Sequence, residues 1–181
     1  MTRVLIIGCG RVGAKTAAEL DARGHQVTVI DINPQAFNRL PSSFGGETVR
    51  GNGTDEDALR GAHTEQVELL MALTEGDNRN ALAAQLGKHV FGVPRVITKI
   101  NDPLRAEAYR ALGLETICRT VILADALVAA TEHDYEATAD GFVQAATAEP
   151  LRGAPPPGTR AEGEARAAMA AEHGHAPSGG E

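Results

Sequence analysis

Residues 4–13 read Val4-Leu5-Ile6-Ile7-Gly8-Cys9-Gly10-Arg11-Val12-Gly13, an apolar strand followed at once by a G-x-G-x-x-G motif. Gly8 permits the tight turn out of the strand, and Gly10 lets a pyrophosphate approach the backbone without a Cβ in the way. Gly13 lets the next helix lie close to the sheet. Unpaired amides at the positive end of that helix favour phosphate, so this stretch predicts a nucleotide-binding strand–loop–helix unit.

An acidic residue, Asp31, closes the second apolar stretch and follows Gly8 by 23 residues. That spacing is close to the one expected for a carboxylate that binds ribose hydroxyls. Because a carboxylate at this position repels a 2′-phosphate, the sequence favours NAD over NADP. Arg11, at the start of the first helix, can add a cation to a polyphosphate already held by amides; the alternative is a solvated surface arginine.

Apolar strands and helices alternate six times along residues 1–133, at spacings of about 20 to 30 residues, as in α/β proteins. Near-continuous apolar strands are typical of a parallel sheet covered on both faces. Right-handed crossovers then predict a Rossmann-like, doubly wound, six-stranded parallel sheet in the order 3-2-1-4-5-6. The predicted strands are residues 4–7, 27–30, 47–50, 67–73, 93–100 and 114–117, and the longer predicted helices are residues 14–20, 80–86, 103–112 and 121–133.

Capping and stop signals predict several helix boundaries. Asn33 before a proline predicts an N-cap, and Asp102 before Pro103 does the same. Thr54, with an aspartate at the capping-box spacing, predicts the start of a helix after the third strand. Gly24 is predicted to end the first helix, and Gly113 is predicted to end the helix over residues 103–112.

Composition sets the broad class of the protein. The length of 181 residues predicts one domain with an appendage, and the net charge of −7 argues against nucleic acid as a partner. No signal peptide is recognisable, and no uncharged apolar run is long enough to span a membrane. Cys9 and Cys118 suit a reduced, cytoplasmic protein and lack metal-ligand spacing; Cys9 is interpreted as a small packing residue.

The end of the chain has a different composition. Residues 134–181 are predicted to be an acidic, low-complexity, disordered tail, because residues 149–181 contain no aromatic residue, one Leu and one Met. A transient helix is predicted over residues 161–172 from their Ala, Glu and Arg content. His173 and His175 could bind a metal weakly, or could simply be part of a solvated tail.

Polar residues follow four of the predicted strands. In an open parallel sheet, ligands collect at the carboxyl ends of the strands beside the topological switch point, so Asp31, Asn52, Thr74 and Lys99 should share one rim. Asn52, between two glycines, could instead serve only to form a turn. Lys99 could be no more than an exposed charge at a strand end.

Residues 1 to about 133 resemble the N-terminal domain of the TrkA-type regulators of potassium conductance, the RCK/KTN family. Many dehydrogenases share the glycine motif, but the resemblance extends well beyond it. It rests on Gly8-Cys9-Gly10-Arg11-Val12-Gly13, Val29-Ile30-Asp31, Arg50-Gly51-Asn52-Gly53-Thr54, Ala72-Leu73-Thr74 with Asp77-Asn78 behind it, and Ile97-Thr98-Lys99-Ile100-Asn101-Asp102-Pro103. These motifs occur in the family's order and at its spacings.

The resemblance implies a regulator that binds NAD(H), or alternatively ATP or ADP, and makes or breaks no bond. It implies a homo-oligomer (a dimer or a ring of dimers) or an assembly with a homologous regulator, at the cytoplasmic face of a membrane potassium transporter or channel. The resemblance also implies a role for each site residue. The phosphates would lie on the glycine motif, the ribose would bind Asp31, and the adenine would lie against Asn52 and Gly53; the motif residues are Gly8, Cys9, Gly10, Arg11, Val12 and Gly13. Thr74 and Glu75 would border the loop after strand four, and Lys99 would reach in from the end of strand five.

The chain departs from the family pattern in two places. Some members bind a divalent cation through an acid after strand six, where this chain reads Ile117-Cys118-Arg119-Thr120, so no metal is predicted. Full-length members carry a folded C-terminal domain, whereas fewer than 50 residues follow His133 here, which suggests a one-domain regulator or one that works beside a fuller homologue.

Two alternative functions compete with the regulator. The first is an NAD-dependent oxidoreductase or its cofactor-binding half, but the six histidines offer no convincing acid or base. The second is a nucleotide-free scaffold, which the intact glycine motif argues against.

Overall fold

The fold is built on a parallel sheet of six strands, seen in a computed structural model that describes residues 1–132. The strands run in the order β3-β2-β1-β4-β5-β6, which confirms the predicted Rossmann-like topology. Their bounds are β1 (Arg3–Ile7), β2 (Gln26–Asp31), β3 (Glu47–Arg50), β4 (Leu69–Ala72), β5 (Arg95–Lys99) and β6 (Glu115–Ile117). Successive strands are added to one side of β1 as far as β3 and to the other side from β4 onward. The boundary between β1 and β4 is therefore the topological switch point.

Five α-helices connect or follow the strands: α1 (Arg11–Ala22), α2 (Glu56–Gly61), α3 (Asp77–Gln85), α4 (Pro103–Ala111) and α5 (Arg119–Glu132). Shorter helical segments are the 3₁₀ helices Pro34–Arg39 and Thr64–Gln66 and the π-helical turn Leu86–Val90, which continues α3. Within residues 1–132, no helix combines the length and apolar character that crossing a bilayer requires. The predicted tail, its helix over residues 161–172, and His173 and His175 lie outside the described residues.

The central strands β1, β2, β4 and β5 are largely buried on both faces of the sheet, as their apolar sequences predict, whereas the edge strands β3 and β6 are mostly exposed. On β1, Val4 and Ile6 pack with α1 and the 3₁₀ helix Pro34–Arg39, while Leu5 and Ile7 pack with α2 and α3. The alternation follows from the two-residue period of a strand. Two apolar layers therefore hold the carboxyl ends of the central strands in a fixed arrangement.

Most of the predicted helix boundaries are confirmed. The Asn33 side chain accepts a hydrogen bond from the backbone N–H of Gln35, and Asp102 accepts one from Arg105. Gly24 and Gly113 have φ angles of 83° and 82°, the left-handed conformation that suits glycine at a helix end.

The predicted capping box at Thr54 is wrong by one residue. The Thr54 hydroxyl is directed to Asn52, to whose side-chain oxygen it donates at 2.9 Å, and not to an N–H of α2. The carboxylate of Asp55 takes that place and accepts the backbone N–H of Ala58 at 2.9 Å. The local turn at Asn52 therefore shifts the cap along the chain.

Candidate functional site

A cleft of about 340 Å³ opens at the carboxyl ends of β1, β2 and β4, beside the switch point. This is the position at which open α/β sheets bind ligands. Its lining combines backbone of the glycine loop, apolar side chains at the strand ends and a few polar groups. The lining residues are Ile7, Gly8, Gly10, Ile30, Asp31, Ile32, Gly51, Asn52, Gly53, Thr54, Leu73, Thr74, Glu75 and Arg79.

The glycine loop has the geometry that its sequence requires. Gly8 has a φ of +103°, and a Cβ there would lie 3.0 Å from the backbone nitrogen of Thr74. A Cβ on Gly13 would overlap the carbonyl oxygen of Gly8, so α1 can begin this close to the sheet only with glycine. At Gly10, a Cβ would meet only the Oε1 atom of Glu75, at 3.9 Å. The backbone of Gly10 is thus accessible from the cleft.

Asp31 holds the loop as well as lining the cleft. Its Oδ2 accepts the backbone N–H of Cys9 at 2.7 Å, and its Oδ1 accepts the N–H of Asn33 at 2.8 Å. A carboxylate offers about four acceptor positions, so each oxygen retains capacity for a further hydroxyl. Asp31 therefore couples the shape of the phosphate loop to the position predicted to hold ribose.

Cys9 is a buried packing residue, in keeping with its interpretation from sequence. Burial raises the pKa of its thiol, and the nearby Asp31 carboxylate raises it further. Because the thiolate is the reactive form of cysteine, both effects suppress its reactivity.

The turn after β3 forms the next part of the wall. Asn52 accepts hydrogen bonds from the N–H and the hydroxyl of Thr54, which is the turn-forming role considered as an alternative for it. Gly53 lies on Ile7, whose side chain a Cβ would overlap. Packing alone thus accounts for both residues, and both also face the cleft.

Asn80 organises the opposite wall, and sequence reasoning missed it. This fully buried amide accepts hydrogen bonds from the N–H and hydroxyl of Thr74 at 2.8 and 2.7 Å. It donates to the carbonyl oxygens of Thr74 and Lys99 at 2.9 and 2.8 Å. It thereby joins the loop after β4 to the end of β5. The available signal was a lone polar side chain among the buried alanines of α3.

Lys99 is buried, so the alternative of an exposed strand-end charge is wrong. Its side chain is 4% exposed, and its Nζ lies 3.8 Å from the Oε1 atom of Glu75, which is 75% exposed. Burial lowers the pKa of Lys99, and Arg119 lowers it further, whereas Glu75 and Asp77 oppose the shift. A desolvated cation whose partner sits in the cleft is well suited to meet an anion.

The predicted site residues fall into two groups. Gly8, Gly10, Asp31, Asn52, Gly53, Thr74 and Glu75 line the cleft together. Cys9, Arg11, Val12, Gly13 and Lys99 lie behind the lining or beside it, with Arg11 and Val12 exposed at the start of α1. Contacts of any of these residues with a nucleotide stay predictions.

Arg79 is a second feature that sequence reasoning missed. It lines the cleft from the first turn of α3, and its Nε lies 2.9 Å from the position of a Cβ on Gly76. The available signal was a cation in the first turn of the helix that follows the β4 loop.

The described residues also bear on metal binding and on acid–base chemistry. Within residues 1–132, no three His, Cys, Asp or Glu side chains are grouped so as to hold a metal ion. His25 and His63 line a different cleft, of about 550 Å³, beside the amino ends of β1 and β2. Neither lies at the rim that carries the glycine loop.

Comparison with known proteins identifies related sequences. Residues 4–120 match the model of the TrkA-N domain family. Over 125 residues the chain is 45% identical to the Trk system potassium uptake protein TrkA of Streptomyces coelicolor. The aligned stretch covers 69% of this chain and 56% of that protein. The chain spans about half the length of the curated relatives that it matches.

Solved structures share the fold at lower identity. The GsuK channel bound to NAD has a TM-score of 0.64 at 22% identity, covering 80% of this chain and 25% of that chain. The Shewanella denitrificans Kef CTD in its AMP-bound form has a TM-score of 0.61 at 20% identity, covering 80% and 92% respectively. At these identities the similarity concerns the fold.

Proposed function

The chain belongs to the TrkA-N domain family, and we propose that it is a nucleotide-binding regulatory subunit of a potassium uptake system. NAD(H) is the favoured ligand, with ATP or ADP as alternatives. The observation that carries the proposal is the cleft at the switch point, where an accessible glycine loop and Asp31 lie on adjacent walls.

The cleft offers complementary groups for an adenosine diphosphate moiety. Amides at the start of α1 favour phosphate, and the Arg79 guanidinium supplies a cation at the wall. Asp31 retains acceptor capacity for the ribose hydroxyls, and the Asn52–Gly53 turn with Ile32 offers a surface for the base. A volume of about 340 Å³ lies within the range of small-ligand pockets, about 300–1,000 Å³.

Regulation would follow from linkage between nucleotide binding and assembly geometry. A nucleotide that binds one arrangement of a dimer, or of a complex with a homologous regulator, more tightly than another shifts that equilibrium by its differential affinity. Typical couplings are about 5- to 150-fold. The partner would be a membrane potassium transporter or channel, contacted from the cytoplasmic side.

Calorimetric titration of the full chain with NAD, NADH, NADP, AMP, ADP and ATP tests the nucleotide site. Asp31→Asn should weaken NAD binding by about tenfold and reduce the preference for NAD over NADP, because the repulsion of a 2′-phosphate is removed. The control Asp57→Asn removes an exposed carboxylate of α2 outside the cleft and should leave affinity unchanged. Failure of every nucleotide to bind at millimolar concentration would contradict the proposal.

Potassium uptake by cells carrying the partner transporter tests the regulatory step. Uptake that responds to the NADH level with the native chain, and no longer responds with Asp31→Asn, is the expected result. Equal uptake with both forms would refute the coupling. Turnover of NADH by the purified protein would instead support the oxidoreductase alternative.

A further inference from the structure

The carboxylate of Glu75 lies where a nucleotide phosphate would approach the glycine loop. Its Oε1 atom is 3.9 Å from the position of a Cβ on Gly10, the residue whose bare backbone admits the pyrophosphate. The same oxygen lies 3.8 Å from the Nζ of Lys99. One side-chain oxygen therefore lies near both the open face of Gly10 and a buried cation.

The backbone of the loop that carries Glu75 is held in place, whereas, within residues 1–132, the Glu75 side chain is held by a single ion pair. Asn80 fixes the adjacent Thr74 by three hydrogen bonds, so the backbone keeps its distance from the glycine loop. The Glu75 side chain is 75% exposed and makes no hydrogen bond among the described residues, only the ion pair with Lys99. At 3.8 Å this ion pair is longer than a hydrogen bond, so it holds the exposed Glu75 carboxylate only loosely and the carboxylate can swing away.

We propose that Glu75 competes with nucleotide phosphate for Gly10 and Lys99 and thereby sets which nucleotides the cleft accepts. This inference rests on the proposed nucleotide site and deepens it. The carboxylate either leaves Lys99 when a phosphate enters or stays and repels it. The repulsion grows with phosphate charge, so the cleft discriminates against polyphosphate nucleotides such as ATP in favour of AMP and NAD(H).

The series AMP, ADP and ATP, with a constant adenosine, tests the charge dependence in the full chain. One unit charge at about 4 Å in a water-like dielectric changes affinity by about fivefold. Glu75→Gln should therefore tighten AMP by about fivefold and ATP by about tenfold or more, and the gain should shrink at high salt. Glu47→Gln is the matched control, since it removes an exposed carboxylate at the amino end of β3.

The outcomes separate the inference from the proposed function. A gain that rises from AMP to ATP in Glu75→Gln, with Glu47→Gln within about twofold of native, supports the inference. An equal gain for all three nucleotides, or none, overturns it while leaving nucleotide binding intact. If neither the native chain nor the variants bind any nucleotide, the proposed function and the inference both fail. Thermal unfolding of each variant verifies that it is folded.

Discussion

Replacing Asn80 with leucine should destabilise the protein and disorganise one wall of the cleft. Leucine has the same branched outline and the same number of side-chain heavy atoms as asparagine, so the substitution leaves no cavity and removes mainly hydrogen bonds. Four would be lost: two accepted from Thr74, one donated to the Thr74 carbonyl and one donated to the Lys99 carbonyl. The change therefore isolates what the buried amide contributes.

The size of the effect follows from how buried the abandoned groups are. A buried polar group left unpaired costs about 1–3 kcal/mol. The Lys99 carbonyl loses its partner in a buried setting, whereas the half-buried Thr74 can recover part of its hydrogen bonding from water. We expect the free energy of unfolding to fall by about 3–4 kcal/mol, less than the four full penalties.

Urea unfolding measures this change, together with nucleotide titration under native conditions. The midpoint should fall with an unchanged m-value, and nucleotide affinity should weaken because the Thr74 loop is no longer tied to β5. Gln85→Leu, at an exposed position of the same helix, is the control and should remain within about 0.5 kcal/mol of native. A loss below about 1 kcal/mol for Asn80→Leu would refute the reasoning, since the network would then contribute little.

Three further changes test other parts of the structure. Gly13→Ala should lower the free energy of unfolding by about 3 kcal/mol or more, measured in urea, because the added Cβ would overlap the backbone. Gly61→Ala, whose added Cβ would meet no neighbouring atom, should raise it by about 0.5 kcal/mol. Equal effects of the two substitutions would contradict this. Lys99→Met should stabilise the protein by about 0.5–1 kcal/mol at pH 7 and weaken nucleotide binding. Burial lowers the pKa of Lys99 in the folded state below its unfolded value of about 10.4. The free energy of unfolding of the native chain should therefore rise with pH between these two pKa values, and the stability advantage of Lys99→Met should disappear over the same range. Burial opposes the ionisation of Asp77, but hydrogen bonds from the segment before α4 outweigh burial and lower its pKa. The stability that ionised Asp77 provides should therefore be lost as the pH falls below about 3.9. Asp77→Asn should weaken this acid dependence in thermal melts measured over a pH series.

The sheet topology and the location of the cleft could be predicted from sequence because their signals are local. Apolar runs, helix caps and the glycine motif each act over a few residues, and the rules of βαβ connection then leave few arrangements. Gly8, Gly10 and Asp31 were found in this way, and all three line the cleft. Each has a backbone or charge requirement that only certain residue types satisfy.

The cap of α2 shows how local reasoning fails when two acceptors compete. Thr54 and Asp55 both suit an N-cap, and in the structure Thr54 bonds to Asn52 while Asp55 caps α2. A pattern read along the chain contains both possibilities and does not rank them.

The chain's own residues thus determined the strand order, the phosphate loop and the rim on which ligands collect. Only the tertiary structure decided that Asn80 ties β4 to β5, that Lys99 is desolvated, and that Glu75 faces Gly10 across the cleft. The partners in the last contact lie 65 residues apart, and that of Lys99 with Glu75 spans 24. Such contacts carry no periodic signal, because packing of distant segments sets their distances, burial and charge.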